Sequence, residues 1–186
     1  MTGMKKTAVF VLGPDRPGII AAVSQTLFEQ GCNLEDVSQT SLQSQFVGIF
    51  VTSMGGRARE ESLLSVLSDR LAPLGLFVHL RPVEAPADRL ATPCEPHVIT
   101  AVGPDRPGLV AGITRLLAQH GANITNLKAV PRGAGAVQEY VTFYEVDIPV
   151  GTDRRAFRAA LRERARELGL DVNLQHKEIF ETIHRI

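Results

Sequence analysis

The sequence predicts an α+β protein made of two ferredoxin-like βαββαβ modules packed side by side. The hexapeptide GPDRPG at residues 13–18 returns intact at 103–108, an offset of 90. That register runs without a gap through the next stretch, pairing Ala21 with Ala111, Leu27 with Leu117, Gly31 with Gly121 and Asn33 with Asn123. Farther along, GLFVHL at 75–80 matches GLDVNL at 169–174 at an offset of 94. Identities after that glycine fall on alternate positions, the period of a strand with one buried face. A run of identical residues at one offset marks an internal duplication.

Each copy reads the same way. A first strand is expected at residues 7–12 and 98–102. GPDRPG then turns the chain into a helix; Asp15 is a good N-cap type, and Pro17 is tolerated in a first helical turn. The helix carries Ile20, Val23 and Leu27 in one copy and Ile113, Leu116 and Leu117 in the other, a one-sided apolar spacing. Gly31 and Gly121 stand where a helix should stop. A second strand starts at Asn33 or Asn123, and a third covers residues 46–52 or 140–148. A second helix follows over 58–71 or 153–168, and a closing strand follows Gly75 or Gly169. The change of offset from 90 to 94 requires four extra residues in the second copy, best placed in the Pro/Gly/Ala stretch 131–136. The organisation expected is a first module at 1–83, a linker with three prolines at 84–96, and a second module with a short apolar tail at 97–186. Helices on one sheet face leave the other face and the edges free for pairing.

Composition narrows the function. Of 186 residues, 44% are hydrophobic and the formal net charge is zero. Lys and Arg number eight against nine acidic residues over 1–90, and twelve against eleven over 91–186. That balance argues against broad electrostatic binding to nucleic acid or anionic membrane. No apolar run approaches a membrane span, and no signal-peptide core follows the first residues, so a cytoplasmic location is expected. Cys32 and Cys94 share no repeat position and form no disulfide framework.

The repeated loop has anion-binding chemistry. It leads into a helix N-terminus, where unpaired N–H groups and the dipole favour negative charge. Gly18 and Gly108 let a ligand approach the backbone. Asn33 and Asn123, with an amide donor and acceptor, open the next strand. Such groups could hold a small zwitterion, its carboxylate on backbone N–H groups and its ammonium on Asn and on Asp15 or a carbonyl. The alternative is structural: Asp15 a cap, Arg16 solvated, the glycines turn residues and Asn33 a strand start. The loop is the best-kept stretch between two copies that have drifted far apart elsewhere, which raises the ligand reading beside the structural one.

A strand, then GPDRPG-[IL]-[IV]-A, then a helix ending in G-[CA]-N-[LI] resembles the ACT domain, a βαββαβ regulatory amino-acid sensor. Two copies resemble the tandem-ACT family related to the glycine cleavage system transcriptional repressor. The resemblance implies a small amino acid, glycine or serine, bound at an interface between adjacent ACT modules. It assigns ligand-binding positions to Asp15, Arg16, Pro17, Gly18, Ile19 and Asn33, and to Asp105, Arg106, Pro107, Gly108, Leu109 and Asn123. It further implies a protein partner, a homodimer, no cofactor and no direct nucleic-acid binding. Related loops occur in ACT modules fused to catalytic domains, such as formyltetrahydrofolate deformylases; here the eight residues after Glu178 leave no expected room for one, so a non-enzyme is expected. A dimerisation module without ligand is the other alternative.

Other chemistry is weaker. None of His79, His97, His120, His176 and His184 stands at a metal-ligand spacing. Cys32 lies at a helix C-terminus, the wrong dipole sign for a thiolate, and corresponds to Ala122; it reads as a small buried residue. Arg154, Arg158 and Arg162 form an i, i+4 stripe beside the apolar Phe157, Leu161 and Leu168. That is a solvated helix face, or else a patch for a partner.

Overall fold

The computed structural model describes residues 5–54, 60–83, 92–132 and 139–184. The chain divides into two compact units, residues 1–87 and 88–186, each with its own core.

The first unit runs β1 (Lys5–Pro14), α1 (Ile19–Glu29), β2 (Cys32–Leu42), β3 (Gln45–Met54), α2 (Glu60–Leu71), a 3-10 turn (Ala72–Leu74) and β4 (Phe77–Pro82). The second repeats it as β5 (Cys94–Pro104), α3 (Leu109–Gln119), β6 (Asn123–Arg132), β7 (Glu139–Pro149), α4 (Arg154–Glu167) and β8 (Asp171–His176), then adds α5 (Lys177–His184). The sheets are antiparallel, with strand orders β2-β3-β1-β4 and β6-β7-β5-β8. These are two ferredoxin-like modules. Residues 84–91 of the expected linker lie outside the described residues, and Cys94, Glu95 and Pro96 stand in β5.

Alternation in the strands and the helical period build the first core. Val9, Val11, Phe46 and Phe50 point from the sheet to Ile19, Val23 and Leu27 of α1 and to Leu63, Leu67 and Leu71 of α2. Each fully buried aliphatic side chain contributes about 1.5–3 kcal/mol. The second core joins Ile99, Tyr144 and Val146 to Ile113, Leu117, Phe157 and Leu161. Leu170, Val172 and Leu174, the alternating letters of the closing strand, pack against it.

Several expectations need correction. Asp15 caps nothing: α1 starts at Ile19, its N-cap is Gly18, and no side chain caps it. Pro17 therefore lies in the turn before the helix. With that start the inward stripe is Ile19, Val23 and Leu27, and Ile20 is 40% exposed. The four-residue insertion falls between β6 and β7. Gln43 and Ser44, with φ of 49° and 60°, close the hairpin between paired Leu42 and Gln45, whereas the corresponding pair is Arg132 with Glu139. Pro131 and Arg132 thus belong to β6, and residues 133–136 of the expected loop lie outside the described residues. The apolar tail 179–183 folds as part of α5. Phe180 stacks edge-on against Phe143 at 6.1 Å, and Lys177 pairs with Glu145 at 2.6 Å. Phe143 and Glu145 alternate with the core residues Tyr144 and Val146, so α5 lies on the sheet face away from α3 and α4. On the corresponding face of the first sheet Leu12, Val47, Ile49 and Phe77 are exposed. Among the described residues no helix is long and apolar enough to cross a membrane.

Candidate functional site

The repeated loop opens its helix in the same way in both units. Its first glycine is set by packing: a Cβ on Gly13 would stand 2.6 Å from the Gly75 carbonyl oxygen, and one on Gly103 would stand 2.9 Å from that of Gly169. Its last glycine is set by backbone. Gly18 has φ 95° and ψ −7°, and Gly108 has φ 92° and ψ −8°, a left-handed conformation that glycine adopts without strain. A Cβ on either would meet no other part of the fold within 4 Å, so the space next to both glycines is open.

These glycines open their helices. The Gly18 carbonyl accepts from Ala22 N–H at 2.9 Å, and the Gly108 carbonyl accepts from Gly112 N–H at 2.8 Å. The N–H groups of the first turn have no partner within the helix. Neither helix has a side-chain cap, and neither has an acidic residue in its first turn. The positive end of each dipole is therefore uncompensated beside an exposed loop, an arrangement that favours a carboxylate.

The other expected site residues divide. Asp15, Arg16, Pro17 and Gly18 are exposed together, as are Asp105, Arg106, Pro107 and Gly108. Asp15 is held to the β2–β3 hairpin: its N–H donates to the Ser44 carbonyl at 2.8 Å, and its carboxylate accepts from the Ser41 hydroxyl at 2.6 Å. The Arg106 guanidinium donates to the Leu168 carbonyl at the end of α4. Ile19 is a core residue, 2% exposed, and Leu109 is half-buried, so each offers a ligand its backbone N–H alone.

Asn33 and Asn123 are exposed but stand at the opposite end of their own modules. Asn33 pairs with Ser53, which pairs with Lys6, seven residues up β1 from Gly13. At about 3.3 Å per residue that separation is roughly 23 Å. Asn123 stands in the same relation to Gly103 through Asp147 and Pro96. One module therefore does not bring its loop and its asparagine together.

Cys32 is a core residue, 9% exposed, and burial pushes its thiol above the usual range; Ala122 takes the same place in the second core. His97 is inside β5, buried, with its ring edge-on to His176 at 5.3 Å. Among the described residues no three His, Cys, Asp or Glu side chains group as metal ligands. In the arginine stripe Arg154 pairs with Glu95, and Arg158 and Arg162 are exposed. Sequence reasoning missed Ser41 as the partner of Asp15 and the Leu168 carbonyl as the partner of Arg106; both contacts are distant in sequence and leave no local signal.

The model of the ACT domain matches residues 8–81 and 95–175. A UPF0237 protein of Methanopyrus kandleri is 40% identical over 90 residues, 48% of this chain and 96% of the relative. A UPF0237 protein of Methanococcus maripaludis is 37% identical over 91 residues, with the same shares. Among solved structures, an unknown protein from Galdieria sulphuraria matches with a TM-score of 0.77 and 24% identity over 93% of this chain and 98% of that one. A candidate glycine cleavage system transcriptional repressor matches with a TM-score of 0.62 and 18% identity over 94% and 98%. At these identities the structural likeness shows a shared fold.

Proposed function

The chain belongs to the ACT-domain family, a family of regulatory modules, and from that premise we propose that it binds a small amino acid and passes the signal to a protein partner. The observation that carries this reading is the duplicated loop: a left-handed glycine, an uncapped helix start and open space occur in both units. The α-carboxylate sits on the N–H groups that follow Gly18 or Gly108. The ammonium goes to an asparagine of an adjoining module, because Asn33 and Asn123 lie too far from their own loops. Binding is thus tied to association of modules, whose boundaries we place at 1–83 and 94–186, since β5 starts at Cys94. Glycine or serine fits a site made mostly of backbone. The role is regulatory rather than catalytic, without cofactor, in a cytoplasmic homodimer, with control of amino-acid metabolism through a transcriptional partner as its setting.

Calorimetric titration with the twenty amino acids tests the reading. Saturable heat with glycine or serine is expected, and silence from all twenty overturns it. A second reading, an assembly module without ligand, is favoured by the Arg106 bond to the Leu168 carbonyl, which engages that side chain within its own unit. It expects that silence together with a stable dimer in light scattering.

A further inference from the structure

The two helix layers differ at one equivalent place. In the first unit Arg70 of α2 reaches across to Glu29 at the end of α1, with N–O 2.7 Å, and lies 3.3 Å from the Thr26 hydroxyl. The Gln25 amide donates to the same carboxylate at 2.9 Å. Together Gln25 and Arg70 hold Glu29 below the usual carboxylate range. The first unit thus keeps a carboxylate between its helices, supplied by its own chain.

By the repeat offsets, Arg70 corresponds to Arg164, Glu29 to Gln119, Thr26 to Leu116, Gln25 to Arg115 and Ala22 to Gly112. The basic residue is kept, the acid is replaced by an amide, and a second guanidinium stands where the amide was. Arg164 has turned to its own helix, pairing with Glu167 at 2.6 Å, while its Nε lies 3.4 Å from the Gly112 carbonyl. A cleft of about 260 Å³ opens between α3 and α4, lined by Gly112, Arg115, Leu116, Gln119 and Arg164. Arg115 has no carboxylate partner among the described residues. The Arg164–Glu167 contact is a solvent-exposed pair three residues apart, worth about 0–1 kcal/mol, and yields readily to a better-placed anion.

We infer that this cleft binds the carboxylate of a small organic acid, held between Arg115 and Arg164 in the place that Glu29 fills in the first unit. The two guanidiniums and the NH2 end of the Gln119 amide supply the donors a carboxylate needs, and guanidinium forks match carboxylate geometry. The buried Leu116 gives the acid's hydrocarbon a surface. The groups that hold the acid, Arg115 and Gln119, stand roughly 10 Å or more along α3 from Gly108, so the site does not depend on amino-acid binding at that loop.

The test is a titration of ¹⁵N-labelled protein with glutarate, the free counterpart of a glutamate side chain, followed by amide shifts. Saturable shifts are expected at Leu116, Gln119 and Arg164. Gln119→Glu rebuilds the acid of the first unit and is expected to weaken glutarate at least tenfold; Arg115→Gln should do the same without refilling the cleft. Arg162→Ala, on the outer face of α4, should leave the affinity unchanged. Retained shift dispersion in each variant shows that the fold is intact. The inference is overturned if glutarate gives no saturable shift, if chloride at equal ionic strength or inorganic phosphate gives the same shifts, if Gln119→Glu binds like the wild type, or if Arg162→Ala weakens binding as much as Arg115→Gln. Glycine and serine report at Gly18 and Gly108 instead, so failure there and failure here are separate results.

Discussion

Gly18 and Gly108 carry a backbone requirement and a functional one at the same residue. An L-residue in their left-handed conformation costs roughly 1–2 kcal/mol, with no steric term to add because the space before both is open. Gly18→Ala and Gly108→Ala are each expected to lower the unfolding free energy by about that amount in urea titrations. A residue-scale contrast of another kind separates the cysteines. Cys32 is buried with its thiol pushed up, which leaves little thiolate near neutral pH, whereas Cys94 is exposed. Brief alkylation of the native protein should label Cys94 and spare Cys32 by peptide mass analysis; equal labelling would contradict the packing of the first core. Much of this was readable from residues alone. GPDRPG announced its turn, and the correspondence of Cys32 with Ala122 announced burial. What could not be read was which polar group each loop side chain meets, because Ser41 and the Leu168 carbonyl are brought in by tertiary structure.

At the scale of elements, the order of strands and helices followed from periodicity and from Gly31, Gly75, Gly121 and Gly169. Helix starts were less legible. Asp15 and Asp153 are the same residue type before a helix, yet only Asp153 is a cap, accepting from Arg155 N–H at 2.9 Å and Ala156 N–H at 3.0 Å. Asp15 lies three residues before Gly18, and the turn carries its carboxylate to Ser41 instead. Asp153→Ala is expected to cost about 1 kcal/mol in denaturant, and Asp15→Ala should leave α1 uncapped as it already is, with a smaller effect. β5 adds a pH dependence. His97 is held below the ordinary imidazole range, first by burial, although its ring nitrogen meets the Glu95 carbonyl at 3.1 Å and the Glu95 carboxylate opposes the shift. His176 and Arg154 lie nearby and disfavour its protonation. Because the folded state resists a proton that the unfolded chain accepts, the neutral ring's contribution is complete above about pH 6.5 and is lost as pH falls below it. The urea midpoint should drop on acidification through that range, and His97→Gln should flatten the drop. The short helix α5 was missed because eight residues hold too little periodic signal; its stability comes from Phe180 against Phe143.

Across the whole molecule, duplication and divergence act on different layers. The two cores keep the same plan with different residues, each closed on its own unit. Leu67→Ala is expected to cost about 2–5 kcal/mol and to speed amide exchange in the first unit, with Ile99 and Ile113 of the second still protected. Uniform loss of protection in both units would contradict two separate cores. The site was only half visible at this scale. Its loops were evident from the repeat, but the remoteness of Asn33 and Asn123 follows from the intervening eleven-residue helices, which carry the chain about 16 Å to the far end of the module.

An amide-shift titration with glycine and with serine asks most directly whether the uncapped helix starts are receptor groups. The account expects saturable movement of the Gly18, Ile19, Gly108 and Leu109 resonances, with Asn33 and Asn123 moving at the same ligand concentrations. Movement confined to other parts of the chain, or none with either amino acid, would contradict it.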